Sequence, residues 1–370
     1  GTASALLPPN APPAPVDGMV LSQSFVENFN AFADQANQLI ESRQRYFVQE
    51  RTGWFFVDAD GRQVGPIYNT YPLQSAGIHY AHAAGLTGKG QLVAVVDSGF
   101  LTTHETFDRK TMEEASTLLI GSHGTGVASV IAGDSAGMVG VAPDADLLLG
   151  SYISYQDRIA ATDLATDRGA IAQNNSWGFV DTFVSQQSFD EVFFDGVGQD
   201  YLTALRNYAD VGVIIFASSN ESNDTASSLM PALPMLVPEL EDSWLSVINA
   251  DAHMVGDDVV GATRISAACM ESAPWCIAAE GVWNAATASG NGQYAFWTGT
   301  SFAAPMVAGA MALLAEAFPN MSPQDLRIRL LASADNDFTG FDRAGSVELI
   351  DGFFHDYSEE WGHGFLDVKA

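Results

Sequence analysis

The chain has 370 residues, 47% of them hydrophobic, enough to bury a large α/β core and one appendage. Its 45 acidic against 15 basic residues give a formal charge of −30, which argues against nucleic-acid or anionic-membrane partners and leaves a soluble, acidic surface that favours basic substrates over acidic ones. There is no initiator Met or signal peptide, so the sequence reads as a mature or trimmed form, and no continuous apolar run reaches the roughly 18 residues of a membrane span. Residues 1–18 are small and rich in Pro8, Pro9, Pro12, Pro13 and Pro15, as in an extended tether. A helix is expected next, with a capping box at Ser24 and Glu27 and an apolar stripe of Phe25, Phe29, Phe32, Ala36, Leu39 and Tyr46. Segments 54–57 and 64–68 flank Asp60-Gly61 and predict a hairpin. Residues 19–72 therefore form an N-terminal extension that packs on the segment after it, captures a ligand of that segment, serves maturation or spaces the chain from a membrane anchor.

From residue 73 onward the chain carries three segments with chemistry. Gln91 to Val96 is a short apolar run ending in Asp97-Ser98-Gly99, the pattern of a buried parallel strand that delivers a carboxylate at its C-terminal end. His123 opens a small-residue helix, His123-Gly124-Thr125-Gly126-Val127-Ala128. Gly299-Thr300-Ser301-Phe302-Ala303-Ala304-Pro305-Met306 puts a hydroxyl at the mouth of a helix apolar nearly all round, with Pro305 expected in its first turn. Backbone N–H groups and the positive helix end converge at such a mouth, a setting suited to a transient oxyanion. A serine hydroxyl is a weak nucleophile until a base takes its proton, so Asp97, His123 and Ser301 read together as a candidate catalytic set. Singly, each has a plainer reading: a turn cap, a structural histidine, a helix N-cap. His79, His82, His104, His253, His355 and His363 have no comparable setting and read as structural or exposed. A dinucleotide fingerprint lacks its third glycine, no Gly-x-Ser-x-Gly surrounds Ser301, and no His-Glu-x-x-His helix is present.

Val95-Val96-Asp97-Ser98-Gly99, His123-Gly124-Thr125 and Gly299 to Pro305 resemble the three signatures of the subtilisin-like serine proteases, the subtilase family, and share its Asp, His, Ser order. The resemblance runs over roughly residues 73–370, with one departure: many members have a second histidine where this chain has Gly126. It implies a doubly wound, mostly parallel α/β sheet flanked by helices as the peptidase domain, 73–370, with the site at the strand C-termini. It also implies a secreted serine endopeptidase working through an acyl-enzyme. The strand Val213 to Ala217 runs into Ser218-Ser219-Asn220, where the family carries its oxyanion-stabilising asparagine; Asn220 is the candidate, with Asn223 close by.

By the same resemblance, Ser176, Trp177 and Gly178, with Ala217, Ser218 and Ser219, wall the primary specificity pocket, and Glu221 stands near its rim. Large apolar P1 residues are expected, with Lys or Arg accommodated through Glu221, although a solvated loop charge is an equal reading of that residue. Cys269 and Cys276 match a pattern of secreted subtilases of Gram-negative bacteria, autotransporter passengers included, which implies a disulfide and a secreted or cell-surface location. The chemistry needs no cofactor. Structural calcium is a family-level expectation without a located site, since loop 133–140 has one acid and Asp335, Asn336, Asp337 and Asp342 are irregularly spaced. Protein or peptide substrates, a membrane tether through the N-terminus and a monomeric state complete the expectations. The reading from a different class is a binding or adhesion module that keeps the fold with little turnover.

Overall fold

A computed structural model describes residues 29–370. The tether, Ser24, Phe25 and Glu27 lie outside the described residues. Helix α1, Ala33–Ser42, and the single turn α2, Gln44–Phe47, succeed each other with a break at Arg43, whose backbone is extended. The expected continuous stripe is thus divided: Phe29 and Ala36 are buried from the first part and Tyr46 from the second, while Phe32 and Leu39 are partly buried. The hairpin is present, strand β1 (Arg51–Val57) pairing antiparallel with β2 (Gln63–Thr70). Two short helices, α3 (Pro72–Ser75) and α4 (Ile78–Ala83), lead into the main sheet.

That sheet has eight strands: β3 (Leu92–Asp97), β4 (Met112–Glu114), β5 (Asp146–Ser151), β6 (Ala172–Asn175), β7 (Val213–Ala217), β8 (Trp244–Val255), β9 (Asp258–Arg264) and β10 (Cys276–Ala279). Their order is β10-β8-β7-β6-β3-β5-β4, all parallel, with β9 antiparallel to β8. The apolar run of β3 reflects burial on both faces. Val93 and Val95 join the core built with α5 (Ser122–Ala132) and α9 (Thr300–Ala317), whereas Ala94 and Val96 join that of α6 (Tyr155–Arg168) and α8 (Gly196–Ala209). The short α7 (Gln186–Phe193) packs beside α8. Helix α9 is 18 residues long and apolar enough by length and composition to cross a membrane, and it is buried as a core helix.

A second antiparallel pair, β11 (Val282–Ala286) and β12 (Tyr294–Thr298), runs straight into α9, and the N-terminal hairpin rests on it. Trp54 stacks on Tyr68 at 4.5 Å and meets Phe296 edge-on at 5.7 Å. Gln49 acts like a strand residue toward β11, donating from Nε2 to the Asn284 carbonyl and accepting from the Asn284 amide, both at 3.0 Å. Helix α10 (Pro323–Ala332) starts in a capping box, Ser322 and Asp325, and leads to the hairpin of β13 (Gly345–Ile350) and β14 (Phe353–Tyr357). The end of the chain returns to the short helices before the main sheet, Val368 donating to the Ala76 carbonyl at 2.8 Å. Cys269 and Cys276 form a disulfide across the turn at 270–275, next to β10.

Candidate active site

Asp97 is the last residue of β3 and is wholly buried, so its carboxylate needs donors. Oδ1 accepts from Ser98 N at 2.7 Å and from His123 Nδ1 at 2.9 Å, and Oδ2 lies 3.0 Å from the same nitrogen. A carboxylate at Nδ1 fixes the tautomer, leaving Nε2 with its lone pair. The helix that brings His123 here approaches closely: a Cβ on Gly124 would lie 2.3 Å from the Gly99 carbonyl oxygen, so only glycine fits. His123 stands partly open to solvent, with Phe302 at 5.7 Å and Trp297 at 6.3 Å packed edge-on against its ring. Burial pushes its pKa down, but the hydrogen bond and charge of Asp97 outweigh that, and the net shift is upward. The space beside Gly126 is occupied by Phe302 and Trp297, both within 3.3 Å of where its Cβ would stand, which accounts for the glycine in place of a second histidine.

Ser301 is the second residue of α9, and its N–H belongs to the first-turn amides that lack an intrahelical acceptor. Pro305 is further in than expected. The helix opens at Thr300, so Pro305 lies past the first turn, and its missing N–H frees the Ser301 carbonyl from the i→i−4 ladder. Ser176 fills that vacancy, donating from Oγ to the Ser301 carbonyl at 2.9 Å. In return Ser301 Oγ donates to the Ser176 carbonyl at 3.3 Å. The hydroxyl thus rests on Ser176 and not on His123; catalytic hydrogen bonds commonly tighten only once substrate is bound.

Gly299, the N-cap of α9, has φ 148°, a backbone that favours glycine. Its neighbour Thr300 donates from N to Asn220 Oδ1 at 2.8 Å, which fixes the carboxamide. The oxygen is committed to a backbone donor, so Nδ2 is the atom left to face a substrate oxygen. Asn223 does not line the cleft.

A cavity of about 310 Å³ opens beside Ser301. Ser176, Trp177, Gly178, Ala217, Ser218, Ser219 and Glu221 all line it, together with Asn220. Sequence reasoning missed other parts of the wall, among them Phe179, Val180 and Asp181, which continue from Gly178, and Asp224. The signal for the first three was the apolar run Trp177-Gly178-Phe179-Val180 placed in a loop; Val180 is 87% exposed. The other histidines are structural, as His82 accepting from Tyr46 Oη at 3.0 Å and the stacked His355 and His363, or exposed, as His253. Among the described residues, no group of three or more His, Cys, Asp or Glu gathers as for a metal. Of the acids weighed for calcium, Asp134, in loop 133–140, is paired with Arg45 and Arg109, and Asp335 accepts from Asp337 N.

The chain is similar to known proteins in sequence and fold. The chain is 25% identical over 353 residues to an extracellular serine protease of Serratia marcescens, covering 75% of this chain and 33% of that protein. It is 31% identical over 262 residues to subtilisin BL of Lederbergia lenta, covering 69% of this chain and 87% of the relative. The crystal structure of fervidolysin from Fervidobacterium pennivorans superposes with a TM-score of 0.56 at 22% identity, over 81% of this chain and 45% of that one, a likeness of fold. The chain spans only 33% and 40% of the Serratia protease and of fervidolysin as full-length sequences. The subtilase family model matches residues 88–348, the stretch that holds the strand end of Asp97, the helix of His123 and the mouth of α9, and the chain belongs to the subtilase family.

Proposed function

We propose that this chain is a secreted serine endopeptidase that hydrolyses peptide bonds of proteins and peptides through an acyl-enzyme. The observation that carries the reading is the buried Asp97 carboxylate at His123 Nδ1, with the His123 ring 5.7 Å from that of Phe302, the residue after Ser301 at the start of α9. His123 Nε2 would take the Ser301 proton as Oγ attacks the scissile carbonyl. The oxygen of that carbonyl then carries the negative charge, held by Asn220 Nδ2 and the Ser301 N–H. Collapse expels the amine with the proton from His123, and water repeats the sequence to release the acid and restore Ser301. Asp97 stabilises the imidazolium without becoming protonated. Side chains and water account for each step, with no bound cofactor invoked.

The cavity beside Ser301 suits large P1 side chains, and the carboxylates of Glu221, Asp181 and Asp224 around it suit Lys or Arg as well. Secretion or surface display is supported by the extracellular relative and by the disulfide. A monomer, tethered through residues 1–18, is the form we propose. Fluorophosphonate labelling with subsequent peptide mapping tests the chemistry: Ser301 should be labelled in the wild type and unlabelled in His123→Ala. On the same preparation, Ser301→Ala should lose about 10⁶-fold in turnover, and cleavage after both Phe and Arg is expected. A folded wild type that takes no label would sink this reading and leave a binding module.

A further inference from the structure

Arg158 lies in the first turn of α6, 8% exposed, and the chemistry above makes no use of it. It forms no ion pair among the described residues, and its Nη1 is buried with no hydrogen-bond partner. A buried guanidinium must be compensated. Here three rings do so: Tyr155, Trp177 and Phe179, with the cation 4.7, 4.9 and 5.1 Å from their centroids. Nε donates to the Tyr152 carbonyl at 2.7 Å. The Tyr152 ring in turn stacks on Trp177 at 5.3 Å, and its N–H donates to the Asp97 carbonyl at 3.2 Å.

The topology gives these contacts their meaning. Tyr152 stands just past β5 and Trp177 just past β6, and the strand between those two is β3, which ends at Asp97. One side chain therefore ties together the loops on either side of the candidate catalytic carboxylate. It does so by gripping Trp177 and Phe179, the aromatic wall of the cavity beside Ser301.

We propose that Arg158 is a positioning residue that preforms this wall for the substrate side chain. The proposal rests on Ser301 being the nucleophile of a peptidase. The guanidinium acts on the wall and touches neither His123 nor Ser301, so its loss should weaken binding and spare the chemistry. Arg158→Met keeps the apolar stem and removes the cation. KM for peptides with a large apolar P1 should rise about tenfold, the size expected for a desolvated cation–π contact. The change in kcat should be smaller, the rate of fluorophosphonate labelling unchanged, and amide exchange over residues 176–181 faster. Arg158→Lys keeps a cation over the rings and should recover part of the KM loss. Wild-type KM and wild-type exchange in both variants would overturn the proposal. Should the Met variant fail to fold, Arg158→Gln, which also removes the cation, takes its place: a raised KM with intact labelling supports the assignment, and a wild-type KM with wild-type exchange ends it. A wild type that takes no label defeats the nucleophile reading instead, and exchange over 176–181 then decides the role of Arg158 alone.

Discussion

His123 carries one proton on which the proposed reaction turns. Its pKa is lifted above 6.5 because the hydrogen bond and charge of Asp97 outweigh burial. A protonated imidazole cannot accept from Ser301, so kcat/KM should fall as pH drops through that raised value, with the acid limb above the ordinary histidine range. Asp97→Asn removes the charge that lifts it. Turnover should drop by about 10⁴-fold and the acid limb move to lower pH, as a pH–rate profile of both proteins would report. A limb that stays in place would contradict the pairing. Asp97, His123 and Ser301 were legible because each closes an unusual local pattern: an apolar run ended by an acid, or a small-residue helix opened by a polar group. The hold of Ser176 on the Ser301 carbonyl was not legible, because it depends on where α9 begins, and one turn of helix decides whether Pro305 costs a hydrogen bond.

At the scale of elements, the hairpin and the parallel strands arise from local signals, Asp60-Gly61 for the turn and unbroken apolar runs for burial on two faces. The break at Arg43 has no such signal, and neither does the seam between the extension and the sheet. Two buried acids sit in that seam. Glu280 accepts from Tyr71 N and Ser75 Oγ on one oxygen and from Ala252 N on the other, and burial, with Asp251 nearby, pushes it up to about 8. Asp251, on β8, is pushed up to about 7, chiefly by burial, and one of its oxygens has no hydrogen-bond partner. An acid whose folded pKa is raised keeps its proton in the fold after the unfolded chain has lost it. Its contribution is therefore full below the unfolded value, 3.8 for Asp251, and is lost as pH rises to about 7. Asp251→Asn removes that slope. The urea midpoint of the wild type should fall more between about pH 4 and about pH 8 than that of the variant; equal falls would sink the assignment.

On the scale of the whole molecule, residues 29–72 behave as part of the core's cover. Phe29, Ala36, Ile40 and Tyr46 share one hydrophobic cluster with α4, α5 and α9, and Gln49 completes the edge of β11. We expect deletion of residues 1–72 to lower the melting temperature by about 10 °C or more, the scale of several kcal/mol in a domain this size. Ser301 should still take a fluorophosphonate below that temperature. An unchanged melting temperature would leave substrate capture, maturation or spacing from a membrane anchor as the role of the extension. The packing of the extension could be anticipated only as one option, since an amphipathic stripe states that a face is buried and not against what.

The meeting of Val368 with Ala76 has a bearing on survival. A peptidase at high concentration digests whatever segment of a neighbouring copy frays first, and loose termini are the usual entry. Here Val368 is fastened to the helices that precede the main sheet, so fraying at residue 368 also leaves the Ala76 carbonyl without its donor. Under the proposed activity, self-digestion at this seam requires it to open first, and wherever cleavage outpaces reclosing the rate of that opening sets the lifetime of the protein in its own company.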